Sequence, residues 1–272
     1  MDKYVIFTDI DGTLLNDEHK ITKTTKDALL SLQQQGHSLV LASGRDIHSL
    51  AKLGDELNMQ EFSQSGYIAL NGLEIYNSKY ECLHKEKKLQ KEDIYHLAFI
   101  AESYSIDMVV FFENCLYIVE YDQNGIMEQH FLDRQKYIVK DVKQIDDELF
   151  NYVKKVAFVK EAKSMNQILP LIQKQVTQYE ICKVEDDWVE INPVGATKGK
   201  ALKKYLEIEH IDIDKSIAFG NAENDIDMLQ TAHIGVAMAN AFDNVKNAVK
   251  YVCLDNNHDG IAKFLKEVEI WR

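Results

Sequence analysis

The sequence predicts an α/β fold: a Rossmann-like core with a parallel sheet, interrupted by an inserted α+β cap domain. Three observations support this fold class. Short apolar runs alternate with helix-like segments at the start of the chain, paired strand-like runs fill its middle, and strand–helix alternation returns after Gly195. Because such alternation is typical of a parallel sheet covered by helices, we assign residues 1–82 and 190–272 to the core and 83–189 to the cap.

The first part of the chain supplies the beginning of the core. The apolar run YVIFT at 4–8 predicts a strand that is buried on both faces. Residues 22–35 predict a helix, because their apolar residues recur at helical spacing and Gly36 follows as a C-cap. Three further elements are expected here: a strand at 37–43, a helix from Asp46, and two strands within 66–77 around a turn at Asn71 and Gly72.

The middle of the chain alternates helices with antiparallel strand pairs and so predicts a separate module. Its expected elements are a helix within 84–104, a hairpin around Glu113 and Asn114, a strand at 154–160, a helix within 164–179, and two strands around Glu185 and Asp186. The core then resumes with helices within 197–208, 224–232 and 244–251, and with strands at 215–220 and 234–238.

Composition and charge narrow the function classes. The chain has 272 residues and a net charge of −13, which argues against nucleic acid or an anionic membrane as a general partner. Its four cysteines lie far apart and form no CxxC pair, so we expect reduced thiols and no zinc site. The chain has no apolar run long enough to span a membrane and no signal-peptide pattern at its start, and we therefore expect a cytoplasmic protein.

Polar groups follow the ends of several predicted elements. Asp9 and Asp11 come directly after the first strand, and residues two apart in extended chain point the same way. An acidic cluster at 221–227 follows the strand at 215–220, Ser43 and Gly44 follow the strand at 37–43, and Lys198 begins a helix. In open α/β sheets ligands bind beyond the carboxyl ends of the strands, so these groups are expected to meet. Carboxylates suit Mg²⁺, whereas a hydroxyl, amides and a lysine suit phosphate.

Four segments carry a family resemblance. DIDGTLL, ASGR, the lysine of GATKGKAL and GNAENDIDML, in this order and spacing, resemble the four signature motifs of the haloacid dehalogenase (HAD) superfamily. The insertion lies between the second and third motifs, which resembles the Cof-type branch with its subfamily IIB cap. The resemblance implies a Mg²⁺-dependent phosphatase, and a cap that closes over the site, excludes water and selects the substrate.

The resemblance also implies a role for each site residue. Asp9 would attack phosphorus and form an aspartyl-phosphate, and Asp11 would act as general acid and then as general base. Phosphoryl oxygens would be bound by a set of five residues: Ile10, Ser43, Gly44, Lys198 and Asn224. Mg²⁺ would be held by Asp9, Asp11 through its main-chain carbonyl, Asn221 and Asp225. Arg45 and Asn71 are expected near the mouth of the site, either as substrate or cap contacts or as ordinary helix-start and turn residues.

One residue departs from the family pattern. The fourth motif of the family usually begins Gly-Asp, and that aspartate is a metal ligand, but this chain has Gly220-Asn221. An asparagine still offers a carbonyl oxygen but lacks the negative charge. We therefore expect weaker metal binding unless Asp225 or Asp227 lies closer to the cation.

The sequence thus predicts a Mg²⁺-dependent phosphatase of a small phosphorylated metabolite, whether sugar phosphate, nucleotide or cofactor phosphate. We expect a monomer or a weak homodimer. Two alternatives stay open. The first is a phosphotransferase or phosphomutase, although the chain has no additional basic cluster for a second sugar phosphate. The second is a binding or regulatory protein that has lost turnover because of Asn221.

Overall fold

The computed structural model describes residues 3–112, 115–122 and 135–270. The chain forms two compact units, one from Met1–Glu86 with Ala196–Arg272 and the other from Lys87–Gly195. Each unit has a sheet of its own: the first is largely parallel and the second is mixed. The predicted fold class, an α/β core with an inserted α+β unit, is confirmed.

The described residues contain fourteen strands and eight α-helices. The strands are β1 (Val5–Thr8), β2 (Ser38–Ala42), β3 (Gly66–Ala69), β4 (Glu74–Asn77), β5 (Cys82–Lys85), β6 (Asp107–Phe111), β7 (Cys115–Val119), β8 (Gln135–Val139), β9 (Lys155–Val159), β10 (Tyr179–Lys183), β11 (Trp188–Pro193), β12 (Ser216–Gly220), β13 (Ile234–Ala237) and β14 (Tyr251–Val252). The helices are α1 (Lys23–Gln34), α2 (Ile47–Glu56), α3 (Lys91–Ser103), α4 (Ala162–Gln175), α5 (Lys198–Ile208), α6 (Ile226–Thr231), α7 (Asp243–Asn247) and α8 (Gly260–Glu267).

The core sheet has the order β14-β13-β12-β1-β2-β3-β4-β5. The strands from β14 to β3 are parallel, whereas β4 and β5 are antiparallel additions at one edge. β1 lies between β2 and β12, so the first and third predicted core strands along the sheet come from opposite ends of the chain. The carboxyl ends of these three strands therefore meet at one edge of the sheet.

Both faces of the core sheet are buried, as the apolar first strand predicts. Ile6 packs with α1, α2 and α8 on one face, whereas Val5 and Phe7 pack with α5 and α6 on the other. Alternate residues of a strand point to opposite faces, so a strand between two helical layers must be apolar throughout. None of the described helices has the length and apolar composition needed to cross a bilayer.

The sheet of the insertion has the order β10-β11-β9-β6-β7-β8. Its pairs are antiparallel except for β7 with β8. One face packs against α3 and α4 through residues such as Leu97, Met165 and Ile191. β6 and β7 form the predicted hairpin, although its turn at residues 113–114 lies outside the described residues.

The unit boundaries differ by a few residues from the sequence assignment of 82/83 and 189/190. β5, which begins at Cys82, pairs with β4 and so belongs to the core sheet up to Lys85. β11 pairs with β9 and β10, and so residues 190–193 belong to the insertion. In both places the hydrogen-bonded partner strand, rather than the local sequence pattern, decides to which unit the chain belongs.

Candidate active site

The site is built where β1 and β12 end. Asp9 follows β1 directly, and Asn221 follows β12. The main-chain N–H of Asp9 donates to the carbonyl of Phe219 at 3.0 Å, which continues the parallel ladder one residue beyond the strand. This bond fixes the main chain of Asp9 beside the end of β12 and aims its carboxylate at the sheet edge.

A buried charged triad surrounds Asp9. The Lys198 Nζ lies 2.7 Å from Asp9 Oδ1 and 2.7 Å from Asp225 Oδ1. Lys198 and Asp225 are fully buried and Asp9 is nearly so. A buried charge is costly unless it is paired and hydrogen-bonded, so each of the three side chains depends on the other two.

The electrostatics of the triad follow from this burial. Burial raises the pKa of Asp9 above the usual carboxyl range, the Asp225 carboxylate raises it further, and Lys198 opposes both. Burial alone would lower the pKa of Lys198, but the Asp225 and Asp9 carboxylates outweigh it and hold that pKa above its ordinary value. Lys198 is therefore a permanent cation beside Asp9, and any further positive charge there would favour the ionised carboxylate.

The start of α5 positions Lys198. Thr197 caps this helix through its hydroxyl, which accepts from the N–H of Lys200 at 3.3 Å. Gly199 follows Lys198, and a Cβ on it would lie 2.5 Å from the carbonyl oxygen of Asp227. The Gly199 N–H donates to Asp227 Oδ2 at 3.0 Å. Only a glycine permits this approach, which brings Lys198 against the segment that carries Asp225.

Asp225 is engaged on both of its carboxylate oxygens. Oδ1 accepts from Lys198, and Oδ2 accepts from the main-chain N–H groups of Asn221 at 2.9 Å and Ala222 at 3.0 Å. Asp225 was predicted as a metal ligand, but the structure places it on Lys198 and on the loop after β12. Asp227 does not move closer to the predicted cation either, because it is held by Gly199.

Three oxygens converge on the side-chain amide of Asn221. They are Thr13 Oγ1 at 2.9 Å, the main-chain oxygen of Asp11 at 3.0 Å and Asp9 Oδ2 at 3.2 Å. A carbonyl and a carboxylate only accept hydrogen bonds, so the amide faces them with its nitrogen. Asp9, Asp11 and Asn221, three of the four predicted metal-binding residues, are therefore brought together.

The same oxygens fit a hard cation. A carboxylate oxygen, a main-chain carbonyl and a side-chain amide oxygen are ligands that Mg²⁺ accepts, and Asn221 can offer the last by turning its amide over. Within the described residues no group of three or more His, Cys, Asp or Glu side chains is arranged for a metal. A cation here would thus depend on one carboxylate together with neutral oxygens.

The side chain of Asp11 points to a different partner. Its carboxylate is paired with Arg45, whose Nε lies 2.9 Å from Asp11 Oδ2 and whose second nitrogen contacts Oδ1. Asp11 is about half exposed and Arg45 about one-third, so this bidentate pair lies at the surface of the site. Arg45, which the sequence left between a substrate contact and a helix-start residue, holds the predicted acid/base residue.

A second group joins the loops after β2 and β3. The main-chain N–H of Asn71 donates to the carbonyl of Ser43 at 2.9 Å, and Asn224 Nδ2 donates to Asn71 Oδ1 at 3.1 Å. The Ser43 hydroxyl accepts from the N–H of Arg45 at 3.2 Å. The predicted residues Ser43, Asn71 and Asn224 therefore lie together. Gly44 lies between Ser43 and Arg45 in the same loop.

The turn after β3 has an unusual main chain. Leu70, Asn71 and Gly72 have φ values of 51°, 54° and 103°, all in the left-handed region. A Cβ on Gly72 would lie 2.4 Å from the carbonyl oxygen of Thr197, so this turn packs directly against the start of α5. Side chains are disfavoured in this region, so the turn is strained, as is common near functional sites.

The remaining predicted residue, Ile10, has its side chain fully buried in the core. Its carbonyl accepts from the N–H groups of the three residues that close the turn after β1. Only its main-chain N–H is then left as the part that could face a ligand, which is consistent with the predicted phosphate contact without testing it.

Sequence reasoning missed two residues of this site. Thr13 contributes an oxygen beside Asn221, and Asp227 holds the start of α5. Both lie inside the motifs quoted above, four and two residues from Asp9 and Asp225. A search for every side chain with a polar oxygen in those motifs would have found them, but their partners lie far away along the chain.

Comparison with known proteins identifies what this chain is similar to. A model of the family described as haloacid dehalogenase-like hydrolase matches residues 6–265. The putative phosphatase YxeH of Bacillus subtilis is 27% identical over 267 residues, which cover 97% of each chain. The 5-amino-6-(5-phospho-D-ribitylamino)uracil phosphatase YcsE of the same organism is 27% identical and covers 98% of this chain and 96% of its own. Among solved structures, the HAD subclass IIB sugar phosphatase BT4131 has a TM-score of 0.79 at 26% identity and covers 98% of this chain and 100% of its own.

Proposed function

The chain belongs to the haloacid dehalogenase-like hydrolase family and is a phosphatase of that family, and we propose that Asp9 is its nucleophile. The family predicted from the four motifs is confirmed by the match over residues 6–265. The observation that carries the proposal is the double engagement of the Asp9 carboxylate. Lys198 fixes one oxygen at 2.7 Å and the amide of Asn221 lies 3.2 Å from the other.

The proposed reaction has two displacements on phosphorus. A carboxylate oxygen of Asp9 forms a bond to phosphorus while the bond from phosphorus to the leaving oxygen breaks, and Asp11 gives that oxygen its proton. Asp11 then takes a proton from water, whose oxygen attacks the aspartyl-phosphate and releases inorganic phosphate and free Asp9. A Mg²⁺ ion held by Asp9, the Asp11 carbonyl and Asn221 would supply positive charge that offsets the repulsion between carboxylate and phosphate.

The other residues of the site have supporting roles in this proposal. Lys198 keeps Asp9 ionised and correctly oriented, and Asp225 keeps Lys198 in place. Ser43 and the main-chain N–H groups of Ile10 and Gly44 are proposed to bind phosphoryl oxygens. Arg45 orients Asp11 through two parallel contacts, which is the geometry that best fixes a carboxylate.

The substrate is proposed to be a small metabolite with a phosphorylated, hydroxyl-rich carbon chain. Two relatives support this class by what they act on: a ribitylamino compound for YcsE and sugar phosphates for BT4131. Their identities of 27% and 26% do not transfer one particular substrate to this chain.

We propose that the insertion contributes to substrate choice through one face of its sheet. This face lies opposite α3 and α4 and is mostly apolar, with Phe111 and Trp188 among its residues. It also carries Lys155, Glu190 and Asn192, since residues two apart in a strand share a face. Lys155 and Glu190 form an ion pair, and the Lys155 Nζ lies 5.0 Å from the centre of the Phe111 ring.

Asn192 is the residue of this face that supports a ligand contact. It is buried, and its Oδ1 has no hydrogen-bond partner in the structure. A buried acceptor without a partner costs about 1–3 kcal/mol, and a substrate hydroxyl would remove that cost. We expect Asn192→Leu to lower kcat/KM for a hydroxylated substrate, relative to that for p-nitrophenyl phosphate, by about fivefold. An unchanged ratio across a panel of sugar and polyol phosphates would contradict this role.

The proposed function is tested by assaying the purified chain on p-nitrophenyl phosphate and on a panel of phosphorylated metabolites, with and without Mg²⁺. We expect activity that requires Mg²⁺ and falls by about a thousandfold or more in Asp9→Asn. Asp243→Asn is the matched control, because the same change is made on a side chain that is 92% exposed. Absence of activity at millimolar Mg²⁺ in both the native chain and Asn221→Asp would refute the enzyme and favour a binding protein.

A further inference from the structure

Asn221 is at the point where the proposed cation would be bound, yet it faces that point with hydrogen-bond donors. Its amide nitrogen lies 3.2 Å from Asp9 Oδ2, 3.0 Å from the Asp11 main-chain oxygen and 2.9 Å from Thr13 Oγ1. The first two atoms have no proton to give, so a carbonyl oxygen in this position would meet only lone pairs. The partly positive NH₂ group therefore bridges oxygens that would otherwise repel each other.

The main chain around Asn221 is held on both sides. Its N–H donates to Asp225 Oδ2 at 2.9 Å, and its carbonyl accepts from the N–H of Phe242 at 3.2 Å. Gly12 packs against the side chain, since a Cβ there would lie 2.5 Å from the Asn221 amide. With the main chain fixed and the turn closed on the amide, rotation about the Cβ–Cγ bond is the small movement by which this residue can change what it presents.

We propose that the Asn221 amide is an internal substitute for the cation and turns over by half a turn when Mg²⁺ is bound. In the metal-free protein its NH₂ group bridges Asp9 and the Asp11 carbonyl, and in the metal-bound protein its oxygen faces the ion. The inference rests on the proposed function in one respect, namely that the cation is bound between Asp9 and the Asp11 carbonyl.

An aspartate at the same place would act in the opposite way. Its carboxylate would face Asp9 Oδ2 and the Asp11 carbonyl with negative charge and no proton, which is unfavourable without a cation and favourable with one. The asparagine thus gives a site that is stable when empty at the expense of affinity for the ion. This chain would be loaded and emptied as the Mg²⁺ concentration varies, whereas its aspartate variant would stay loaded.

The first experiment measures Mg²⁺ binding by isothermal titration calorimetry and thermal stability in EDTA and in Mg²⁺, without substrate. We expect Asn221→Asp to lower the Kd for Mg²⁺ by about tenfold or more, because one ligand gains a charge. In EDTA we expect its Tm to fall by about 5 °C below that of the native chain, and in saturating Mg²⁺ this deficit should disappear. Asn151→Asp is the matched control, since Asn151 is exposed and lies in the insertion.

The second experiment follows the amide itself. In spectra of ¹⁵N-labelled protein the side-chain NH₂ resonances of Asn221 are identified as the pair that Asn221→Ser lacks. We expect that pair to shift on Mg²⁺ addition, with the same midpoint as the calorimetric titration, because its hydrogen bonds to Asp9 and Asp11 are lost. This readout also serves if Asn221→Asp folds only in the presence of Mg²⁺.

Two results would overturn the inference: equal Mg²⁺ affinity and equal metal-free Tm in the native chain and Asn221→Asp, or an NH₂ pair that saturating Mg²⁺ leaves unmoved. Neither measurement uses a substrate. A chain that shows both effects but hydrolyses no phosphate ester would refute the proposed function and leave the amide substitution standing. An active phosphatase that shows neither effect would do the reverse.

Discussion

The core site and the polar face of the insertion use buried charge in different ways. In the core, Lys198 is shared between Asp9 and Asp225, and these carboxylates are further tied to the loop after β12. On the insertion face, Lys155 and Glu190 pair with each other beside aromatic rings, and Asn192 Oδ1 is left without a partner. A fully compensated group suits chemistry that is the same for every phosphate ester. A partly satisfied one suits contacts that differ between substrates.

Removing the central cation should break this contrast most severely. We expect Lys198→Met to lower the free energy of unfolding by about 3–5 kcal/mol, because two buried carboxylates lose their common counter-charge. Activity should be lost with it. Urea unfolding and kcat/KM are the measurements, and Lys203→Met, on an exposed position of the same helix, is the control. A variant as stable as the native chain would mean that the triad is not held by charge.

The close approach of α5 gives the next largest effect. Alanine is normally better than glycine inside a helix by about 1 kcal/mol. At Gly199, however, a Cβ would lie 2.5 Å from the Asp227 carbonyl, so Gly199→Ala should destabilise by about 1–3 kcal/mol and reduce kcat by displacing Lys198. Lys200→Ala next to it is the comparison. A stabilised, fully active Gly199→Ala would refute this account of how Lys198 is positioned.

The insertion can be perturbed separately. Glu190→Gln keeps the shape of the side chain but removes its charge, so we expect a loss of about 1.5–3 kcal/mol from the bond with Lys155. Hydrogen exchange should rise in β9 and β11 and stay unchanged in β1 and β12. Glu120→Gln provides the control, because its partner Lys140 is 77% exposed. Increased exchange in the core strands as well would show that the two units do not respond independently.

The smallest expected effect concerns Arg45. Its pair with Asp11 is partly exposed, so Arg45→Met should change stability by about 1 kcal/mol or less. Because Arg45 orients the proposed acid/base residue, kcat/KM should nevertheless fall by about tenfold. Lys26→Met, which removes a comparable surface pair with Glu56, should leave both quantities near their native values. Equal activity of the two variants would assign Arg45 a purely structural role.

Much of the core and its site could be predicted because local sequence specifies both. A strand buried on two faces must be apolar throughout, and this made β1 and β12 legible together with the polar residues that follow them. Lys198 was predicted at a helix start, and its contact with Asp9 follows from the meeting of strand and helix ends. The pairing of Asn221 with Asp9 and Asp11 follows in the same way.

The parts that could not be predicted depend on partners far away in the chain. β8 carries mostly exposed residues and is a strand because it pairs in parallel with β7. β5 and β14 are short edge strands with exposed positions, so neither has an apolar pattern to announce it. The attachment of Asp225 to Lys198, and the orphan oxygen of Asn192, arise from packing and pairing register that no single segment contains.

The central place of β1 in its sheet bears on how the chain is made. β1 pairs with β2, which follows closely, but its other neighbour is β12, which begins only at Ser216. Lys198 lies 189 positions after Asp9. During synthesis β1 therefore has one open edge, and Asp9 no counter-ion, until almost the whole chain has left the ribosome, whereas the insertion is already complete and can fold. Such long-range closure is slow, so the nascent amino-terminal segment, with its apolar strand exposed, is the stage of this protein's life at which a chaperone would matter most.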